Sequence, residues 1–362
     1  MKAGLSATHP RNLAVGAADP AQGNERMTTM EQGFCRGFLV TALFGATVLA
    51  SPTVEGMSGM AMRSLCAEAP AGNGDKAVAA AERRAGEAAF AQRKDWGQAA
   101  AAIDHFEKSL AADADQPDVR LLVSRAYYLF ADGKYRFDEE DDKQLDAFKK
   151  GALHAARAVR GLNPAFVRKV CGNAPADEAV AALDRRTVPA AYWFMTHLGK
   201  YGLAKDLLEV LANKDMIFAV MATSKRLAPG YFHYAPDRYL GAYYTKVPFP
   251  KGDMPKAFEQ FRLSMRGAPG YLATYNLAAE LYATRASRKI DRRASRCVVG
   301  APLVDADSAV AAHPCRLLFQ KLLEHVLQAS ADQLPDLEAE QLIEKEKAKR
   351  LLEDIDTYFP PD

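Results

Sequence analysis

Arg238–Phe261, RYLGAYYTKVPFPKGDMPKAFEQF, decides how the chain is read. Leu240, Gly241 and Tyr244 have the spacing of one amphipathic helix, and Gly252, Asp253, Ala257, Phe261, Ser264, Met265 and Pro269 have that of a turn and a second helix. The registers of the two halves disagree by four residues, and VPFP, Val247–Pro250, is the inserted material. Gly241 and Ala257 allow the backbones to approach while Tyr244 and Phe261 fill the space beside them.

Working outward, the same beat continues. Tyr275, Ala279 and Tyr282 repeat the alternation of aromatic, small and aromatic, and Pro229 closes a helix expected to begin near Asp215. AAIDHFEKSLAAD (101–113) and ALHAARAVRGLNP (152–164) read as further second helices ending in a polar or proline break. Single-face stripes run through Ala99, Ile103, Phe106 and Leu110, through Leu318, Leu322 and Val326, and through Ala348, Leu351, Ile355 and Phe359. No alternating Val/Ile/Thr run is long enough for a sheet. The expectation is an all-α fold of tetratricopeptide-like helical hairpin repeats, three or four hairpins forming an α-α superhelix with two closing C-terminal helices.

That domain is assigned to residues 75–362, and residues 1–74 to a signal peptide or anchor followed by a flexible linker. After Arg36 comes the apolar run GFLVTALFGATVLASPTV, with Val48-Leu49-Ala50 as a small-residue cleavage site, so export is expected. An uncleaved segment would tether the protein to the membrane. Five cysteines are present, none in C-x-x-C spacing. In an oxidising compartment Cys297 and Cys315 form the natural disulfide pair because they bracket a segment without periodicity; buried free thiols are the alternative.

The chain has 362 residues, 49% hydrophobic and 25% charged, a globular balance, and its net charge of +2 gives no reason to expect a nucleic-acid partner. Nothing matches H-E-x-x-H, G-x-S-x-G, a P-loop or G-x-G-x-x-G, so there is no positive reason to propose an enzyme, a metal or a cofactor. The acidic run DEEDD (138–142) lacks EF-hand spacing and reads as a solvated loop. The basic cluster Arg285, Arg288, Lys289, Arg292, Arg293 and Arg296 reads as a wet loop or as a contact for an anionic surface. Aromatic residues are the densest feature. Tyr192, Trp193, Tyr231, Tyr234, Tyr239 and Tyr243 are the candidate ligand-binding residues, lining an apolar cleft with hydroxyls at its rim, although packing accounts for part of this density.

The succession AYW (191–193), RLAPGY (226–231), LGAYY (240–244) with its proline-bearing insertion, GDMPKAFEQF (252–261), YLATYNLAAELYA (271–283) and EKAKRLLEDIDTYF (346–359) resembles the T-component of TRAP transporters, the TatT family. RAYYLFADG (125–133) and the acidic connector after it agree in order. The resemblance implies a periplasmic, non-catalytic, tetratricopeptide-like protein that works with a substrate-binding P-component. It also implies a homotrimer and an internal apolar cleft suited to a hydrophobic small molecule. Members are typically lipoproteins, whereas neither Cys35 nor Cys66 follows a lipobox. A general protein-interaction scaffold of the cell envelope is the alternative function.

Overall fold

A computed structural model describes residues 59–67, 72–287, 297 and 314–360. The segment expected to direct export, Cys35 and most of the basic cluster lie outside the described residues, which contain helices and no strand. The all-α hairpin-repeat expectation is met. Helix α1 is Gly59–Cys66, α2 Lys76–Ala91, α3 Trp96–Ala112, α4 Pro117–Leu129 and α5 Asp141–Leu162. They are followed by α6 Pro164–Cys171, α7 Ala176–Val180, α8 Val188–Lys205, α9 Leu207–Leu227, α10 Tyr231–Lys246 and α11 Met254–Gly267. The last part holds α12 Ala273–Leu277, α13 Thr284–Ser287, α14 Pro314–Gln328, α15 Glu338–Glu353 and α16 Ile355–Tyr358.

The helix starts follow from local chemistry. Asp75, Asp95, Asn163, Asp206 and Asp253 each accept a hydrogen bond from the backbone N–H three residues on, satisfying a donor that the first helical turn leaves open. Proline opens α4, α6, α8 and α11, where its missing N–H costs nothing. The α9 start at Leu207, not near Asp215, follows from the Asp206 cap, which the periodicity alone did not reveal.

Consecutive helices pack as hairpins: α2 with α3, α4 with α5, α8 with α9, and α10 with α11. The crossing in the opening stretch has the expected cause, since a Cβ on Gly241 would lie 2.9 Å from the Phe261 ring. A Cβ on Gly151 would fall 2.0 Å from the ring of His197, so α5 and α8 touch where only glycine fits. The VPFP insertion forms the loop between α10 and α11, with a cis Phe249–Pro250 bond and Phe249 92% exposed.

Two features depart from the sequence reading. Gly59–Cys66, placed in a loose linker, is a helix against α5 and α6, with Leu65 buried and a Cys66–Cys171 disulfide across 105 residues. Its short length hid it, because eight residues give too little periodicity to separate a helix from a tether. Cys297 and Cys315 are joined as expected. The second departure is closure: α15, from the last part of the chain, returns to the first hairpin. Arg93, in the α2–α3 turn, donates to Glu340 at 2.8 Å and to the Asp336 carbonyl, and Lys94 pairs with Glu338 at 2.8 Å. Ile343 packs with Trp96 and Phe130. The superhelix thus closes around a central space.

Candidate functional site

The central cavity holds about 690 Å³ of atom-free space with its mouth included, and is narrow. Residues from α4, α8, α10, α12 and α15 line it. Two π-helical turns, Phe130–Tyr135 after α4 and Ala278–Ala283 after α12, supply Asp132 and Glu280 to its wall. Such a turn inserts one extra residue per turn and swings side chains off the normal helical faces, which is why it recurs at functional sites.

Five cationic side chains, Arg125, Arg136, Lys200, Arg238 and Lys347, line the cavity together with four carboxylates, Asp132, Glu280, Glu340 and Glu344. Every carboxylate is paired. Asp132 receives Lys200 at 2.7 Å and Lys347 at 2.5 Å, and Lys347 also reaches Glu344 at 2.8 Å. Glu280 receives Arg136 at 3.0 Å, and Glu340 receives Arg93 at 2.8 Å with Arg125 at 3.6 Å. Burial alone would raise the Asp132 carboxyl, but Lys200, Lys347 and Arg136 outweigh it and hold the group well below the usual carboxylate range. Burial and then Arg136, Lys200 and Lys347 act in the same opposed senses on Glu280, which ends lower than usual. Burial lowers the Lys347 ammonium, yet Asp132 and Glu344 bring it out above its ordinary value.

Arg238 is different. It is 1% exposed, lines the cavity, and has no carboxylate partner among the described residues. Its Nη1–H donates to the His233 carbonyl at 3.0 Å. Its other contacts, to the Tyr192 hydroxyl, the Thr274 hydroxyl and the Phe232 carbonyl, are long, at 3.4 to 3.5 Å, and all neutral. The guanidinium lies over the Tyr271 ring at 4.4 Å. Burial holds the phenols of Tyr239 and Tyr271 far above neutral pH, so neither supplies a negative charge.

The aromatic wall begins with an unusual backbone. Phe232, His233 and Tyr234 all have φ between 42° and 58°, a single left-handed turn of non-glycine residues. Each residue there costs roughly 1–2 kcal/mol and persists only where surrounding packing over-determines it. Phe232 packs on Trp193 at 5.2 Å and on Tyr271 at 5.7 Å, His233 stacks on Tyr271 at 5.0 Å, and Arg238 binds the turn's carbonyls.

The six candidate aromatics do not form one cleft. Tyr192, Trp193 and Tyr239 line the charged cavity. Tyr239 and Tyr243 line a second, adjoining pocket of about 520 Å³, walled mainly by apolar side chains such as Val210, Ile217, Leu203 and Leu281, with Lys200, Lys214 and Lys246 at its border. The two spaces share Lys200, Tyr239 and Leu277. Tyr231 stacks edge-on against Tyr192 at 5.4 Å and lines neither. Tyr234 lies over Gly267, where a Cβ would meet its ring at 2.4 Å, and lines neither. The apolar part of the expected site is therefore the neighbouring pocket, and the central space is ionic.

Sequence reasoning missed the charged lining. Glu340, Glu344 and Lys347 share one helical face in a segment that looks like a solvated charged helix, and only their helical spacing beside Ile343 hinted at burial. Asp132 and Glu280 gave no such hint because a π turn breaks the period that would have placed them. Among the described residues no group of three or more His, Cys, Asp or Glu side chains is arranged to hold a metal ion.

No protein-family model matches this chain, and no curated protein matches it either. The class defined by fold and site is thus an all-α helical-hairpin repeat protein closed around an aromatic and ionic cavity.

Proposed function

We propose that this chain is a non-catalytic accessory protein of a TRAP-type solute import system, T-component-like, that holds a small ligand between its hairpins and docks a periplasmic substrate-binding P-component. The observation that carries this reading is the pair of adjoining spaces beside α8 and α10, one ionic and one apolar, walled by aromatic side chains. Tyr239 borders both, so one aromatic side chain forms part of the wall of each space. Shielding apolar surface there contributes roughly 25 cal/mol per Å² buried, without covalent chemistry. The four carboxylates are engaged in ion pairs, which suits a structural and binding role. Two disulfides fit a periplasmic setting, since such bonds persist in oxidising compartments. The tetratricopeptide kinship, the homotrimer and the exported location belong to this proposal and draw on the family resemblance.

A second reading, an envelope scaffold, is favoured by the exposed apolar side chains Phe249, Leu207 and Leu208, the last 76% exposed. Two measurements separate the readings. Replacing Tyr239 and Tyr243 by Ala is expected to weaken binding of the apolar fluorophore 1-aminoanthracene at least tenfold with the circular dichroism spectrum unchanged; equal binding refutes the ligand role. Affinity capture from periplasmic extract is expected to recover an extracytoplasmic solute receptor, and recovery of envelope-assembly proteins instead refutes the transport role.

A further inference from the structure

We propose that the Cys66–Cys171 disulfide is a redox latch, and that its reduction by a dithiol frees α1 from α5 and α6 while the hairpin stack stays folded. The inference goes beyond the function proposed above and depends on neither pocket.

The two disulfides differ in access. Cys297 and Cys315 are 4% and 5% exposed, within the core of the closing helices, whereas Cys66 and Cys171 are both half-buried where α1 lies on α6. Thiol–disulfide exchange requires a thiolate to reach a sulfur, so the accessible bond reacts first. What that bond secures is held weakly otherwise. Helix α1 has eight residues, fewer than the roughly 12–15 that an isolated helix needs in water. Among its described side chains Leu65, 1% exposed, is the large apolar one that is fully buried, in the same core cluster as Val167 and Val170 of α6. Arg160 of α5 donates to the Leu65 and Cys66 carbonyls, but at 3.3 and 3.2 Å, the long end of the range. Burying one leucine offsets less than the ordering of eight backbone residues costs, so the cross-link supplies what these contacts lack.

Downstream the chain is pinned again, because the N–H groups of Asn73 and Gly74 donate to the Ala111 and Ala112 carbonyls at 3.1 and 2.9 Å. The disulfide therefore sets where the folded body begins, at Gly59 when it is closed and at Asn73 when it is open. Opening needs no group beyond the dithiol. A thiolate of the reductant attacks one sulfur, the S–S bond breaks, and the other cysteine leaves as a thiolate and takes up a proton. The reductant's second thiolate then attacks its own sulfur in the mixed disulfide and displaces the remaining cysteine in the same way. Two electrons and two protons pass to Cys66 and Cys171, and the dithiol is oxidised to a disulfide. The segment released, residues 59–72, spans about 50 Å when extended at roughly 3.5 Å per residue. In a chain tethered by an uncleaved apolar segment, that slack sets how far the helical body reaches from the membrane.

The test uses the purified full chain. Graded dithiothreitol, followed by iodoacetamide and mass spectrometry, is expected to alkylate Cys66 and Cys171 before Cys297 and Cys315. At that stage hydrogen–deuterium exchange is expected to run at least tenfold faster across Gly59–Cys66, while α3, α5 and α8 remain protected. Trypsin is expected to cut after Arg63, an exposed residue of the docked helix, once the bond is open and not before. The Cys66→Ser, Cys171→Ser double variant, which keeps Cys297–Cys315, is expected to behave like the reduced chain; should it fail to fold, the graded reduction decides. Opening of Cys297–Cys315 first, unchanged exchange across α1, or loss of protection throughout the stack on reduction overturns the latch.

Discussion

The sharpest quantitative consequence concerns His197. Its side chain is 0% exposed on α8, wedged against Gly151 of α5, with ring contacts to Tyr128, Phe148 and Trp193. Nε2 lies 3.0 Å from the Ser124 carbonyl, which can only accept, so Nε2 carries the proton of the neutral ring and Nδ1 is left without a partner. Burial lowers the imidazole to about 3; the Ser124 bond and Asp132 oppose the shift, while His154 adds to it. An unfolded histidine titrates near 6.5. Below that pH the unfolded chain takes up a proton that the folded chain refuses, so stability falls as pH falls from about 6.5 towards 3. Between pH 7 and pH 5 the loss from this one group works out at about 2 kcal/mol. Urea unfolding followed by far-ultraviolet circular dichroism should show the wild type losing about that much more than His197→Gln over the same range. The Gln amide can donate to the same carbonyl, so the comparison isolates the titration. Parallel stability–pH curves, within about 0.5 kcal/mol, would refute the reasoning.

Asp132→Asn removes the carboxylate shared by Lys200 and Lys347 and leaves buried ammonium groups short of a partner. It should cost about 3–5 kcal/mol, read from the urea midpoint. Gly241→Ala places a methyl 2.9 Å from Phe261, itself 1% exposed, and should cost about 1–3 kcal/mol in the same assay. Reducing Cys66–Cys171, which closes 105 residues, should lower stability by about 4–5 kcal/mol on chain-entropy grounds; an unchanged thermal midpoint in dithiothreitol would contradict that. Loss of 1-aminoanthracene binding in the Tyr239→Ala, Tyr243→Ala double variant completes the set.

What the sequence by itself determined is the helical part of the answer. The spacing of Leu240, Gly241 and Tyr244 against Ala257 and Phe261 specifies a close crossing, because small residues facing rings at helical intervals leave one good way to pack. The stripes at Ala99, Phe106 and Leu110 and at Leu318, Leu322 and Val326 are buried for the same reason. The Cys297–Cys315 pair was legible because its two residues bracket an aperiodic segment.

Tertiary structure alone decided the site. Periodicity reports which face of a helix is apolar, but Glu344 and Lys347 are buried in a helix whose composition suits water, because α15 closes on the first hairpin and their charges neutralise one another there. Asp132 and Glu280 reach the cavity through π turns that no local pattern announces. The aromatics divide between an ionic space and an apolar one, a distinction set by which distant charges converge beside them. Local spacing is encoded within a few turns of chain, whereas a counter-charge arrives from more than 200 residues away, and only the folded arrangement brings it within reach.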